Sequence, residues 1–332
     1  MATVPMEPGE TTKWQPAPGR LSAPTTPVDD LYVIGHFGIA HVPADDWGLR
    51  VDGLVERPLR VGLAELRAMP SVTVQAVLEC FGNPLRPDEP TRRAGNVEWR
   101  GVPVAAVLDQ AGAPGRGSLW AAGLDSGVFD GTPCTEYLKD LPLDVVRERG
   151  VLAYEMNGAP LTAEHGHPVR LFVPGYFGTN NVKWLRSLTV ADHRPEHLFT
   201  TTLYLRTAPG GTTPEPVRDL DVNSIITDVR SGDRGPEVRG WAWSSSEIVG
   251  VDVAVVRRGA PDAGDGWQDA DLGPVVGGPY GWRRFTASPG LASGADEVTA
   301  RARDAAGRHQ PLRGARNACH VVAVRDAADP RT

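Results

Sequence analysis

The sequence predicts a two-domain, strand-rich chain in which strands and short helices alternate first and an all-strand module follows. Three observations predict this. The chain has 332 residues, more than one ordinary hydrophobic core organises. Its 38 glycines and 30 prolines, with only 7% aromatic residues, describe a protein of strands and loops, since long helices tolerate far fewer breakers. From Asp221 onward short apolar runs recur between turn signals at roughly the 8–12-residue spacing of a β-sandwich, in a pattern that suits an immunoglobulin-like module.

The elements follow in order. Residues 1–30 are polar and carry six prolines, which reads as an extended arm. Leu31 to Ile34 is an apolar approach to Gly35-His36-Phe37-Gly38. Trp47 to Leu54 alternates as a strand, and Leu63 to Met69 is a short amphipathic helix stopped by Pro70. Val72, Val74, Ala76 and Leu78 alternate as a strand that delivers Cys80 to Gly82 and Asn83. After the Pro84–Asn96 loop come a helix from Val104 to Ala111, ended by Gly112, a strand from Ser118 to Leu124, and a helix from Leu143 to Arg149. Val151 to Met156 is a strand, with Asn157-Gly158 as a hairpin signal. Val169 to Val173 and Leu185 to Val190 complete the first part. The boundary is placed at the Pro209-Gly210-Gly211 stretch. Seven strand runs follow, Val222–Ile226, Glu237–Trp243, Val249–Val256, Trp267–Leu272, Trp282–Ala287, Asp296–Asp304 and His320–Val324.

Composition excludes several classes. A formal charge of −7 offers no net attraction to nucleic acid or to an anionic membrane. No apolar run approaches the roughly 18–20 residues of a membrane span. Cys80, Cys134 and Cys319 have no CxxC or CxxH spacing, which argues against a disulfide framework or zinc site and fits a reducing compartment. The first thirty residues hold no apolar leader core and no twin arginine. The expected location is therefore the cytoplasm, with the periplasm or secretion open for a chain whose leader has been removed.

Cys80 is the first candidate for chemistry, because a strand end before a glycine presents a thiol at an edge. Taken alone it reads first as a small buried hydrophobe. His36 alone reads as a loop histidine. The arginine-bearing loop with Arg86 reads either as a solvated loop or as a lid over a site. On its strand Arg170 shares a face with Phe172, so its guanidinium is expected near the Glu164–Pro168 loop.

Read together, these stretches resemble the sulfite oxidase family of molybdopterin oxidoreductases. The resemblance is carried by Leu78-Glu-Cys-Phe-Gly-Asn83, Glu98-Trp-Arg-Gly-Val-Pro103, Gly123-Leu-Asp125, Leu152-Ala-Tyr-Glu-Met-Asn-Gly158, His165-Gly-His-Pro-Val-Arg170 and Val173-Pro-Gly-Tyr-Phe-Gly-Thr-Asn-Asn-Val-Lys-Trp-Leu185. Later stretches, Val222–Ile226, Arg239–Trp243 and Ala302–Gly307, look like that family's dimerisation domain. The resemblance implies an α+β fold: an arm (1–30), a mixed α+β molybdopterin domain (31–208) and an immunoglobulin-like β-sandwich dimerisation domain (209–332) that pairs two copies. It implies one molybdenum-molybdopterin cofactor, with Cys80 as the thiolate ligand to the metal. His36, Asp125, His165, Arg170, Asn181, Val182 and Lys183 match positions that hold the pterin and its phosphate. Tyr204 matches the active-site tyrosine, Arg283 an arginine lent by the second domain, and Arg86 lies beside a position that supplies another.

The chain also departs from the family. Ile34 and Leu85 stand where the family has substrate-binding arginines, and Gly35 stands where an asparagine is usual. No CxxCH haem motif is present, so the reading has no haem and passes electrons to a separate acceptor, a cytochrome or another carrier. Three functions remain open: two-electron oxo transfer on sulfite, the same chemistry on a less anionic substrate (a sulfoxide, N-oxide or small organic molecule), and a non-catalytic dimeric scaffold.

Overall fold

A computed structural model describes residues 11–83, 93–207, 210–232, 235–256, 266–290, 297–319 and 321–324. The chain divides into two compact units. Unit 1 comprises Met1–Trp14, Val33–Val74 and Glu98–Arg218; unit 2 comprises Gln15–Tyr32, Gln75–Val97 and Asp219–Thr332.

Unit 1 is built on a five-stranded sheet in the order Leu138–Pro142, Ser118–Gly123, Leu185–Ala191, Gly48–Gly53 and Leu59–Gly62. Only the Leu185–Ala191 and Gly48–Gly53 pair is parallel. Leu49, Val51, Leu119, Ala121, Leu188 and Val190 are buried, the alternate residues of three adjacent strands facing one core. Three helices cover it: α1 (Leu63–Ala68), α2 (Val104–Ala111) and α3 (Leu143–Arg149). On α2 the buried residues are Val104, Val107, Leu108 and Ala111, the i, i+3, i+4, i+7 set of one helical face. Gly112 ends the helix with φ +65°, a conformation glycine adopts without a Cβ penalty.

In the second sheet Val151–Met156 pairs with Ala94–Pro103, Ala159–Pro160 and Arg170–Phe172. Asn157 and Gly158 both have positive φ (52° and 77°) and reverse the chain between Val151–Met156 and Ala159–Pro160, as the Asn-Gly signal anticipates. The sequence reading kept a loop as far as Asn96, whereas the strand already begins at Ala94. Residues 84–92 lie outside the described residues.

Unit 2 contains two four-stranded antiparallel sheets. One runs Asn223–Gly232, Gly235–Trp243, Arg283–Ala287, Asp271–Val275; the other runs Gln268–Asp269, Ile248–Val256, Glu297–Asp304, Val321–Ala323. Val222, Ile226, Val238, Val251, Val253, Phe285, Val298 and Ala300 form the core between them, which is the sandwich the alternation predicted. Residues Gln15–Tyr32 group with this unit: Leu21 is completely buried, and its carbonyl accepts from Trp241 Nε1 at 2.8 Å.

Candidate active site

In unit 1 three loops are tied together by two cations, the buried Arg170 and the half-buried Lys183. Arg170, 3% exposed, donates from Nη1 to the His165 carbonyl at 3.1 Å and from Nη2 to the Asn181 carbonyl at 2.9 Å. Its guanidinium lies 4.9 Å from the centroid of Trp99, which stacks on Phe172 at 4.6 Å. Arg170 and Phe172 thus share a face, as the strand alternation requires. Lys183 donates to the Glu164 carbonyl at 2.8 Å. Asn181 Oδ1 accepts from the Val173 amide at 2.6 Å, and its Nδ2 donates to the Tyr176 carbonyl at 3.3 Å. Val182 differs in kind: its side chain is in the core and its carbonyl accepts from the Leu171 amide at 2.8 Å.

The acidic member is Asp125, which is buried after the strand Ser118–Gly123. A Cβ on Gly123 would lie 2.3 Å from Asp125 Oδ1 and 2.9 Å from the Lys183 carbonyl, so the turn has no room for a side chain there. Burial pushes Asp125 up against the pull of Lys183. Lys183 is pushed down by burial and by Arg170, against Asp125 and Glu164.

A second group surrounds His36. Its Nε2 is 2.5 Å from the Tyr204 hydroxyl. The imidazole stacks on Tyr137 at 5.1 Å, with Phe129 at 4.9 Å and Phe199 at 5.0 Å against its edges. Burial, with Lys183, Lys13 and Lys139 in support, lowers its pKa to about 3. At neutral pH His36 is therefore an uncharged partner of the tyrosine hydroxyl. Tyr204 has φ +58°, a left-handed conformation that costs a tyrosine of order 1–3 kcal/mol.

Cys80 lies in unit 2. Its amide donates to the Arg93 carbonyl at 2.9 Å, and its loop is clamped on both sides. Arg93 Nη1 donates to the Gly82 carbonyl at 2.5 Å. Arg316 Nη1 donates to the Asn83 carbonyl at 3.1 Å, while the guanidinium lies 4.7 Å from the Phe81 ring centroid and pairs with Asp221. Burial pushes the thiol up, whereas the Gly82 backbone, Arg93 and Arg316 pull it down; ligation to a metal would hold it as thiolate. Arg283 donates to the carbonyls of Gly273 and Ile248, both at 2.8 Å, and pairs with Glu247 at 3.5 Å. Those bonds brace the sandwich's own strands. Leu85 and Arg86 lie outside the described residues.

The residues of unit 1 fit an anionic pterin phosphate. The bonds of Arg170 and Lys183 described above go to main-chain carbonyls, which position the cations without neutralising them. Beside them Thr162 Oγ1 and Trp99 Nε1 are buried without a hydrogen-bond partner among the described residues, a cost normally relieved by a bound polar group or water. Bound there, the cofactor would be held by Arg170, Lys183 and His165, and it would supply two-electron redox chemistry.

Three residues with consequences here escaped the sequence reading. Glu79 is fully buried and accepts from Asn83 Nδ2 (3.2 Å), Asn223 Nδ2 (2.8 Å) and Trp243 Nε1 (2.7 Å). Burial raises its pKa to about 7. Arg316 clamps the Cys80 loop, and Lys139 is buried beside Tyr204. The only local signal was a charged residue within an otherwise apolar run, at Glu79 and at Lys139.

Comparison with known proteins agrees with this geometry. Residues 36–199 match the oxidoreductase molybdopterin-binding domain. Sulfite oxidase of Gallus gallus is 31% identical over 86% of this chain and 68% of its own length. Mitochondrial sulfite oxidase of Drosophila melanogaster is 29% identical over 90% of this chain and 59% of its own. NADH nitrate reductase 2 of Phaseolus vulgaris is 28% identical, and only 32% of its length is spanned. Among solved structures, the sulfane dehydrogenase SoxCD from Paracoccus pantotrophus superposes with a TM-score of 0.79 at 26% identity, over 98% of this chain and 89% of that one. The chain belongs to the sulfite oxidase family of molybdopterin oxidoreductases.

Proposed function

We propose that this protein is a molybdenum-cofactor-dependent oxidoreductase that carries out two-electron oxo transfer on a small sulfur-containing substrate less anionic than sulfite. Electrons pass to a separate acceptor. The observation that carries the reading is the cradle of Arg170, Lys183 and His165, in which both cations are tied to main-chain carbonyls beside the buried Asp125. Cys80 ligates the metal, and Asp125, Asn181, Val182 and His36 complete the pterin site. Tyr204, with neutral His36 on its hydroxyl, meets the substrate. Residues 31–208 serve as the catalytic domain and 209–332 as the module that pairs two copies.

The substrate assignment rests on residue chemistry. Ile34 replaces a guanidinium and is half-buried in the short strand Val33–Gly35, opposite Lys13. Positive potential at His36 comes instead from Lys183, Lys13 and Lys139, compact charges without the bidentate fork that suits an oxyanion. Such a site favours a sulfur compound of low charge, and the likeness to a sulfane dehydrogenase supports that class. Steady-state assays of sulfite, sulfane-sulfur compounds, sulfoxides and N-oxides with artificial electron partners test it. The expected result is a higher kcat/KM on one of the less charged substrates. A sulfite kcat/KM at or above about 10⁶ M⁻¹s⁻¹, well inside the range of efficient enzymes, would contradict it.

A further inference from the structure

We propose that Lys139 is a positioning residue for Tyr204: its buried ammonium clasps the main chain of the turn that precedes the tyrosine and seats the tyrosine ring. This rests on the reading of Tyr204 as the residue that meets substrate.

The geometry is specific. Lys139 stands on the strand Leu138–Pro142 and is 1% exposed. Its Nζ donates to the Phe199 carbonyl at 2.6 Å and lies 5.3 Å from the centroid of the Tyr204 ring. Phe199 belongs to a single π-type turn, Leu198–Thr202, closed by the Leu203 amide on the Leu198 carbonyl at 2.8 Å. The Phe199 ring also packs against His36 and, at 6.3 Å, stacks on Tyr204. One ammonium therefore touches both the backbone of the turn and the ring that the turn delivers.

A packing role alone does not account for a lysine here. Burying an ammonium costs several kcal/mol that a leucine would not, and Leu138 and Leu141 on the same strand are buried without that cost. The neighbouring carboxylate offsets it only in part, because Asp140 is itself engaged by Arg194 at 2.6 Å and Arg218 at 3.3 Å. What the ammonium does contact is a carbonyl and an aromatic face, both favourable to a cation. Tyr204 needs such contacts, because a tyrosine with φ +58° persists only where its surroundings over-determine it. The Val217 amide fixes the Tyr204 carbonyl at 2.8 Å and His36 engages the hydroxyl; Lys139 supplies the contact to the ring.

The charge on Lys139 is itself adjustable. Burial, Arg218 and Arg194 lower its pKa to about 7, against Asp140. His36 stays neutral above about 3 and His197 is likewise lowered, so neither imidazole competes for the same transition; Lys183, pushed down to about 7 and acting on His36, is the group to be separated from Lys139. The seat is therefore charged below neutrality and fades above it.

The test uses the full chain labelled with 3-fluorotyrosine, with Y204F to assign the Tyr204 resonance by ¹⁹F NMR. In K139M, which keeps the stem and removes the charge, the Tyr204 resonance should shift and broaden while the other tyrosines do not move. Turnover per bound molybdenum should fall about tenfold to hundredfold, the range of one charge-assisted hydrogen bond, with KM changed far less than kcat. K139R should restore most of it, and K139M in the Y204F background should cost nothing further. If K139M does not fold, K139R still decides: a guanidinium stays charged, so the transition near pH 7 that Lys139 gives the Tyr204 resonance should be lost in K139R, whereas one that persists belongs to Lys183. An unmoved Tyr204 resonance in K139M, a pH transition unchanged in K139R, or an equal kcat loss with and without Y204F overturns the proposal. Unchanged turnover in Y204F would instead refute the reading of Tyr204, while the NMR comparison still decides whether Lys139 seats the ring.

Discussion

Replacing Arg170 by methionine tests how the cradle is held. Methionine keeps much of the stem volume and removes the guanidinium, so packing against Trp99 is largely retained. Two hydrogen bonds are lost, to the carbonyls of His165 and Asn181. At about 1.5–3 kcal/mol for each bond made by a charged group, the cost is about 3–6 kcal/mol, since Arg170 is 3% exposed and solvent screens little of it. A domain stability of about 5–15 kcal/mol leaves R170M folded but weakened. Urea unfolding of the cofactor-free chain should show this loss directly. In loaded protein the rate of pterin release should also rise, about tenfold to hundredfold for one charged bond to phosphate. A cofactor-free stability within about 1 kcal/mol of the parent, below the loss of even one such bond, would refute the claim that Arg170 ties these loops. Normal pterin retention with lowered stability would make Arg170 a brace and not a ligand.

Other outcomes follow from the same contacts. Y204F removes the hydroxyl that meets His36; kcat should fall at least about tenfold, a charge-neutral hydrogen bond and a substrate contact together, with cofactor occupancy unchanged, and full turnover would remove Tyr204 from the mechanism. Glu79 has its pKa raised to about 7 from 4.5, so between those values the folded chain holds a proton that the unfolded chain has lost. Stability should therefore fall by about 3 kcal/mol as pH rises from 4.5 to 7; E79Q should lack that slope in pH-dependent urea unfolding, and an identical slope in both proteins would move the effect elsewhere. I34R should raise sulfite kcat/KM by about tenfold or more if its guanidinium finds partners; no change in sulfite kinetics with the fold intact would show that this position does not face substrate.

Much of the architecture was legible because it repeats locally. The i, i+3, i+4, i+7 face of α2, the Asn157-Gly158 reversal and the alternation of the sandwich strands each arise from a few adjacent residues. The strand Leu138–Pro142 was missed for a related reason: Lys139 and Asp140 interrupt its apolar run, and their burial depends on Phe199, Tyr204, Arg194 and Arg218 far along the chain. The hairpin Gly127–Phe129 with Thr132–Cys134 has too few apolar residues to announce itself. Glu79 looked like the polar member of an alternating strand, yet Ala76, Val77, Leu78 and Glu79 are all buried. Only Asn83, Asn223 and Trp243, brought together by folding, make a carboxylate tolerable there. The cradle was legible as an ordered set of motifs. Its mechanics, cations held by neutral carbonyls, belong to tertiary structure and leave no trace in spacing.

The central claim is that Cys80 ligates molybdenum. X-ray absorption at the molybdenum edge, with metal quantification on the same samples, tests it most directly. The parent protein should hold about one molybdenum per chain, because a soft thiolate is a favourable donor to such a metal. C80S should show one sulfur scatterer fewer on the metal while the fold is kept. An unchanged sulfur count in C80S, or a parent protein prepared with cofactor supply that holds no molybdenum, would contradict the account.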